Sequence, residues 1–333
     1  MRLYPSYKVA AAHVASVYGH SDKTTEKACD IIAEAARQGV RLIAFPEAFI
    51  PGYPTWATLA APFDGDKYFA ELAAQAIRVD GPEMGKVRAA ARANDIFVSI
   101  GFTEASSVSV GCLWNANVLI GPSGDILNHH RKLVPTFFEK LVWANGDGAG
   151  LRVSETEIGG IGMLICGENT NPLARFSLIA QGEQVHISTY PPIGVAGKVK
   201  TAGTYDLEQA IRIRAAAHSF EAKAFNIVAS AYHDQSAREA IATMGPEAAE
   251  IVEASPRGVS MILGPTGALI SSVLSDQEGL VTATIDLKDA VVQKRIHDVV
   301  GYYNRFDIFK LSVDRSANRP IHFPFEPTHD PNC

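Results

Sequence analysis

The chain has 333 residues, 47% of them hydrophobic and 20% charged, with a formal net charge of −6. That is globular composition, with length for one large domain or two smaller ones. The acidic balance and the lack of a long basic run argue against a nucleic-acid partner, and no apolar run approaches the roughly 20 residues of a membrane span.

The N-terminal stretch "MRLYPSYKVAAAHVASVYGH" is interrupted by Tyr4, Pro5, Ser6 and Lys8 before a signal-type apolar region can form, so it reads as a strand. "TTEKACDIIAEAARQG" has helical periodicity and stops at Gly39, a good residue just past a helix end. "VRLIAFPE" is a short apolar strand ending at Glu47, and a long excursion over residues 50–82 follows it. Long connections in compact folds often carry function. "GPEMGKVRAAARAND" reads as a helix, "IFVSIGFTE" as a strand, and "NANVLIGPSGDILNHHRK" as two strands around a Gly-Pro-Ser-Gly turn.

The second half repeats this plan. "GIGMLIC" is a strand, "PLARFSLIAQG" a helix, "EQVHISTY" a strand, "LEQAIRIRAAAHSFEA" a helix and "KAFNIVASAYHD" a strand. "VSMILGPTGALISSVL" is expected to give two strands around Gly-Pro-Thr-Gly. Three echoes occur in matching order: "AARQGVRLIAF" with "LIAQGEQVHIS", "VRAAAR" with "IRAAAH", and "LIGPSGDIL" with "ILGPTGALI". Two equivalent halves of strands covered by helices predict an α/β fold, a four-layer α-β-β-α sandwich, with one doubly wound sheet as the alternative. The polar, proline-rich segment 313–333 is expected to wrap a surface or stay partly disordered.

Cys29, Cys112, Cys166 and Cys333 form no CxxC pair and no disulfide framework, which points to a reducing, cytoplasmic setting. Cys29, within a helix, and Cys112, near a strand start, read as packing thiols. Cys166 ends a strand and precedes a helix, where unpaired N–H groups favour a thiolate and an oxyanion. Position alone admits two readings, a packed thiol or a presented nucleophile. Glu47 follows an apolar strand, so burial would raise its pKa and suit it to general-base work; a plain loop-start acid is the other reading. Lys132 closes "DILNHHRK" and is either solvated or directed at the same cleft, where it could stabilise a tetrahedral intermediate. Glu139, between aromatic neighbours in "FFEKLVW", needs a partner if buried, and Lys132 is a reasonable one. His129 and His130 are adjacent and would face opposite sides of a strand. His186, His218, His233 and His297 stand isolated, and no metal-ligand spacing is present, so no metal or cofactor is expected.

"FPEAFIPGYPTW", "HHRKLVPTFFEKLVWANGDG" and "LICGENTNPLARFSL" together resemble the three signature blocks of the carbon–nitrogen hydrolases, in particular the nitrilase branch. The resemblance runs from about residue 7 to residue 312, which implies one domain over 1–312 with a tail at 313–333. It implies the α-β-β-α sandwich, a Glu-Lys-Cys triad at Glu47, Lys132 and Cys166, and a second glutamate at Glu139. It also implies a homo-oligomer, a dimer or a larger spiral of dimers. The expected reaction takes a small-molecule nitrile and water to a carboxylic acid and ammonia through a covalent thioimidate and thioester. The Gly167 N–H would help to stabilise developing charge. Tyr53, Trp56 and Tyr190 are candidates for the pocket wall, with ordinary aromatic packing as the alternative. An amidase or N-carbamoyl hydrolase with the same triad, hydration that stops at the amide, and a non-catalytic thiol-sensing assembly protein are the competing readings. The chain departs from the family pattern at Gly167, where tryptophan is common, and at Tyr302 and Phe306, where histidine and proline are usual.

Overall fold

The structure, a computed structural model, describes residues 4–194 and 205–321. Cys333 and the last part of the tail lie outside the described residues. The first half runs β1 (Ser6–His13), α1 (Ser21–Arg37), β2 (Val40–Ala44), α2 (Asp66–Gln75), α3 (Pro82–Ala93), β3 (Phe97–Ala105), β4 (Leu113–Ile120) and β5 (Ile126–Arg131). The second runs β6 (Ser154–Thr156), β7 (Gly159–Ile165), α4 (Pro172–Ile179), β8 (Val185–Tyr190), α5 (Leu207–Ala222), β9 (Phe225–Ser230), α6 (Gln235–Ala242), α7 (Pro246–Ala254) and β10 (Met261–Leu263). β11 (Gly279–Asp286) and α8 (Asp289–Ile296) follow.

The strands form a six-stranded sheet, β11-β1-β2-β3-β4-β5, and a five-stranded sheet, β10-β9-β8-β7-β6. Alternation along the strands explains how the sheets meet. Val9 and Ala11 of β1 share one apolar core with Ile161 and Met163 of β7 and Phe225, Ile227 and Ala229 of β9. Ala10 and Ala12 point the other way, into a second core with Ala28, Ile32 and Ala35 of α1 and Met84, Val87 and Ala91 of α3. Spacings of three and four along each helix give one apolar stripe, and the strand period of two lets each sheet bury both faces. On the far side, Leu207, Ile211 and Ala215 of α5 cover Val228 and Tyr190. The result is the four-layer α-β-β-α sandwich, and the single doubly wound sheet is excluded.

Three features differ from the sequence expectations. Beyond Gly-Pro-Thr-Gly no second regular strand forms; Leu269 and Leu274 make only isolated bridges to Leu263 and Ser260. β11, not singled out from its mixed pattern, pairs antiparallel with the whole of β1 and so completes the first sheet from the C-terminal side. The short strand β6 and the helices α2, α6, α7 and α8 were also not anticipated. The described part of the 313–333 tail lies along the body: Asn318 N donates to Asp147 Oδ2 at 2.8 Å. Among the described residues no helix is long and apolar enough to cross a membrane.

Strand direction positions the site. β1, β2 and β3 are parallel, as are β7, β8 and β9, and β5 runs with β3 because two antiparallel pairings separate them. The segments after β2, β5 and β7 therefore emerge at carboxyl ends of strands, where ligands bind in open α/β sheets.

Candidate active site

Glu47 sits in the turn after β2. Residues on both sides of it are tied to β3: Phe45 N donates to Ser99 O at 2.8 Å and Ile50 N to Gly101 O at 3.2 Å. The approach is close enough that a Cβ on Gly101 would lie 2.3 Å from Pro46 O, so only glycine fits there. Glu47 is 1% exposed. Its Oε1 accepts from Asn115 Nδ2 at 2.7 Å and from Lys132 Nζ at 2.7 Å, while its Oε2 is buried with no hydrogen-bond partner among the described residues.

Lys132 follows β5 directly and is equally buried. Its Nζ donates to Glu139 Oε2 at 2.6 Å as well as to Glu47. Glu139 belongs to a 3-10 turn, Phe137–Leu141, in which Thr136 N donates to Glu139 Oε2 at 2.7 Å. Tyr53 OH donates to the other oxygen, Oε1, at 2.8 Å. One ammonium is thus shared by two carboxylates; one further neutral donor orients Glu47 and two orient Glu139.

Cys166 leaves β7 in a left-handed conformation, φ 50°, and opens a 3-10 turn, Cys166–Thr170, ahead of α4. A non-glycine residue in that region is held there by its surroundings. Glu168 supplies part of the hold. Its Oε2 accepts from Ile165 N at 2.8 Å and is 2.9 Å from His130 Nε2, and its Oε1 accepts from Leu133 N. Glu168 therefore ties the end of β5, which carries Lys132, to the end of β7, which carries Cys166. Its bonds order the turn.

The electrostatics assign different states to these groups. Burial raises the Glu47 carboxyl to about 7, with Lys132 opposing and Glu139 reinforcing the rise. Burial works against the charge of Lys132 too, but Glu139 and Glu47 outweigh it and hold the ammonium protonated. Burial pushes the Cys166 thiol well up, and the Glu47 charge acts on it more strongly than any other charged group. This corrects the expectation that the helix start favours a thiolate: desolvation and two carboxylates outweigh the helix end, so the resting group is a thiol.

The pocket candidates separate. Tyr190, fully buried at the end of β8, shares an apolar cluster with Cys166. Tyr53 is bound to Glu139 and so belongs with the charged cluster. Trp56 stacks on Tyr68 with ring centroids 5.9 Å apart and lines a cavity of 530 Å³ with Tyr18, Leu72 and Met244. None of Glu47, Lys132, Glu139 or Cys166 lines that cavity, but Trp56 shares an apolar cluster with Ala48, which follows Glu47, and with Tyr53, which holds Glu139. A Cβ on Gly167 would come 2.9 Å from Thr136 Oγ1, so a larger residue there would have to push that hydroxyl aside. Tyr302 and Phe306 are exposed.

Asn115 was missed from sequence. A signal was present: Asn115 and Asn117 recur with period two in the apolar strand "LWNANVLI", which places two amides on one buried face. His186 and His218, read as isolated, are not. With Glu183 they form a buried group whose donor atoms lie within 4.8 Å of one another, the candidate metal ligands among the described residues.

The family description "Carbon-nitrogen hydrolase" matches residues 8–295. A nitrilase of Bacillus sp. (strain OxB-1) is 33% identical over 322 residues, covering 96% of this chain and 92% of the relative. A cyanide hydratase of Gibberella zeae is 35% identical over 318 residues, covering 92% and 86%. Among solved structures, a carbon-nitrogen hydrolase from Helicobacter pylori G27 superposes with a TM-score of 0.69 at 18% identity, covering 91% of this chain and 97% of that one, which bears on the fold alone.

Proposed function

This chain belongs to the carbon–nitrogen hydrolase family, on its nitrilase branch, and we propose that it hydrolyses an organic nitrile to the carboxylic acid and ammonia. The observation that carries the reading is the Oε2 of Glu47, a buried oxygen with no partner among the described residues on a carboxyl raised to about 7, whose charge acts on the Cys166 thiol. A group with that pKa takes a proton at neutral pH and gives it back.

In this reaction Cys166 Sγ attacks the nitrile carbon while Glu47 accepts the thiol proton, which passes to the nitrile nitrogen to give a thioimidate. Water adds to the thioimidate as Glu47 takes one of its protons, and the tetrahedral intermediate forms. Lys132 Nζ and the Gly167 N–H offset the charge that develops there. The nitrogen leaves as ammonia and a thioester remains. A second water releases the acid and restores the thiol. Glu139, with Tyr53, holds Lys132, and Tyr190 borders the bound substrate. The covalent chemistry is supplied by the thiol.

The cyanide hydratase relative favours a second reading. If the tetrahedral intermediate expels the thiolate before ammonia, the product is an amide, and about 1.4 kcal/mol of barrier difference changes the ratio tenfold. An amidase would act on the amide alone. A panel of aliphatic, arylaliphatic and aromatic nitriles and hydrogen cyanide, each with its amide, scored for ammonia, acid and amide, separates these outcomes. Ammonia from amides but from no nitrile would sink the nitrilase reading. The proposal includes one domain over 1–312 with a tail at 313–333, a homo-oligomeric assembly and a cytoplasmic location.

A further inference from the structure

We propose that Arg214, held by Tyr205 on the α5 side of Cys166, is the docking point for a carboxylate, so that the nitrile taken by this site carries an anionic group at the end remote from its reacting carbon. The substrate class rests on the nitrilase reading; the anion contact itself does not.

Helix geometry puts Arg214 on the face that meets the site. Leu207, Ile211 and Ala215 of α5 share one buried cluster with Ile165, Cys166 and Tyr190. Arg214 lies one turn beyond Ile211 and two beyond Leu207, on the same stripe of the helix. It is half-buried rather than extended into solvent. The Tyr205 hydroxyl, just ahead of the helix, accepts from Arg214 Nη2 at 2.8 Å. The charge reaches the reacting centre. Burial raises the Cys166 thiol, and Arg214 stands with Lys132 as a cation opposing that rise. Burial raises Tyr190 too, with Cys166 reinforcing and Arg214 opposing.

Two cations thus act on the thiol, and one of them is already committed. Lys132 Nζ lies 2.7 Å from Glu47 Oε1 and 2.6 Å from Glu139 Oε2. Arg212, on the same helix, pairs with Glu208 at 2.8 Å, and Arg175 of α4 pairs with Glu221 at 2.9 Å. Arg214 has no ion pair among the described residues. A half-desolvated guanidinium without a counter-ion is unfavourable. Beside a nucleophile, the group that would offset this is an anion on the substrate.

Bonding capacity selects the anion. A guanidinium carries five N–H donors in one plane, and Tyr205 takes one of them. The others can meet a carboxylate with two parallel bonds. Tyr205 accepts through its oxygen and keeps its own proton, which has no acceptor among the described residues. One guanidinium and one hydroxyl match a singly charged carboxylate. A phosphate would bring a second charge, and the other cation at the thiol is already shared by two carboxylates. Arg214 also answers an electrostatic problem. The Glu47, Lys132 and Glu139 group holds two carboxyls and one ammonium, and the chain carries a net charge of −6. An anionic substrate is repelled from that side, and a cation on the α5 side offsets the repulsion. A cation that served only to lower the thiol would act alike on every substrate, and the test turns on that difference.

The probes are matched nitriles that differ in charge. One pair is ω-cyanobutanoate and the methyl ketone in which acetyl replaces its carboxylate. The other is para-(cyanomethyl)benzoate and para-acetylphenylacetonitrile. With the wild-type full chain, kcat/KM should favour the anionic member of at least one pair, mainly through KM. Arg214→Met should reduce that anionic-to-neutral ratio by roughly 10- to 100-fold, the range for a hydrogen bond to a charged group. Arg214→Lys, which keeps the charge without the fork, should fall between. Equal or higher kcat/KM for the neutral member of both pairs in the wild type overturns the proposal. An equal fall for both members in Arg214→Met also overturns it, since a cation acting only on the thiol gives that result. If Arg214→Met does not fold, Tyr205→Phe decides: it should lower the ratio a few-fold, and an unchanged ratio overturns the docking role. The nitrilase reading fails separately. If no nitrile is turned over, calorimetry with the same compounds on the full chain carrying Cys166→Ala reads the anion contact alone. Tighter binding of the anionic members, lost on adding Arg214→Met, keeps the contact while the nitrilase reading falls. Equal or absent binding of the anionic members overturns the contact as well.

Discussion

Replacing Lys132 by methionine removes the one cation that two buried carboxylates share. Its Nζ is 2.7 Å from Glu47 Oε1 and 2.6 Å from Glu139 Oε2, with side-chain exposures of 0%, 0% and 2% for Lys132, Glu47 and Glu139. Methionine matches the volume, so packing changes little and the electrostatic loss dominates. Removing one partner of a buried ion pair costs about 3–5 kcal/mol. Unfolding entropy of about 2.1 cal/mol/K per residue over 333 residues gives roughly 0.7 kcal/mol/K, so Tm should fall by about 4–7 °C. The pH dependence has a definite sign. Without the ammonium, the Glu47 carboxyl, already raised to about 7, moves further above its unfolded value near 4.5. Raised carboxyl values cost stability as pH climbs past the unfolded value, so the deficit is largest in alkali and shrinks as pH falls. Thermal melts of wild type and Lys132→Met at about pH 5.5 and 8.5, followed by circular dichroism, read this directly. A deficit equal at the two pH values, or larger in acid, would refute the shared-cation account. Adding Glu47→Gln to Lys132→Met should recover part of the loss, since one of the two repelling charges is gone.

Glu47→Gln should fold and lose turnover; in the wild type kcat/KM should rise with pH through about 7 as the carboxylate forms, and a profile flat across that range would remove Glu47 as the base. Cys166→Ala should abolish turnover and the covalent substrate adduct seen by mass spectrometry in the wild type under acid quench. Tyr53→Phe strips a donor from Glu139 Oε1 and should cost about 1–3 kcal/mol in denaturant melts, because the acceptor stays buried. Gly101→Ala drives a Cβ to 2.3 Å from Pro46 O and should displace the Glu47 turn, lowering both Tm and kcat; a variant with wild-type values would show that the turn yields freely.

The catalytic candidates each stand where a strand pattern stops, but position alone left two readings open, and it was the resemblance of three sequence blocks to the family that singled them out. An apolar run followed by Glu47, Lys132 or Cys166 marks a strand end, and strand ends are local. The echoes between the halves added the two-sheet plan. β11 was not legible: "GLVTATID" is half-buried with a mixed pattern, and nothing local says that it pairs with β1, at the far end of the chain.

What the sequence by itself determined, then, is most of the central strands and the helices between them, the sandwich and the residues at the strand ends, since periods of two and 3.6 are written in neighbouring positions. Only the tertiary structure decided which atoms meet and in what charge state. Asn115 and Glu47 are 68 residues apart, and His218 and Glu183 are 35 apart. Burial, which decides whether Glu47 titrates near 7 and whether Cys166 rests as a thiol, depends on what the other sheet and its helices place around them. Desolvation is a property of the packed neighbourhood, and no stretch of chain carries it alone.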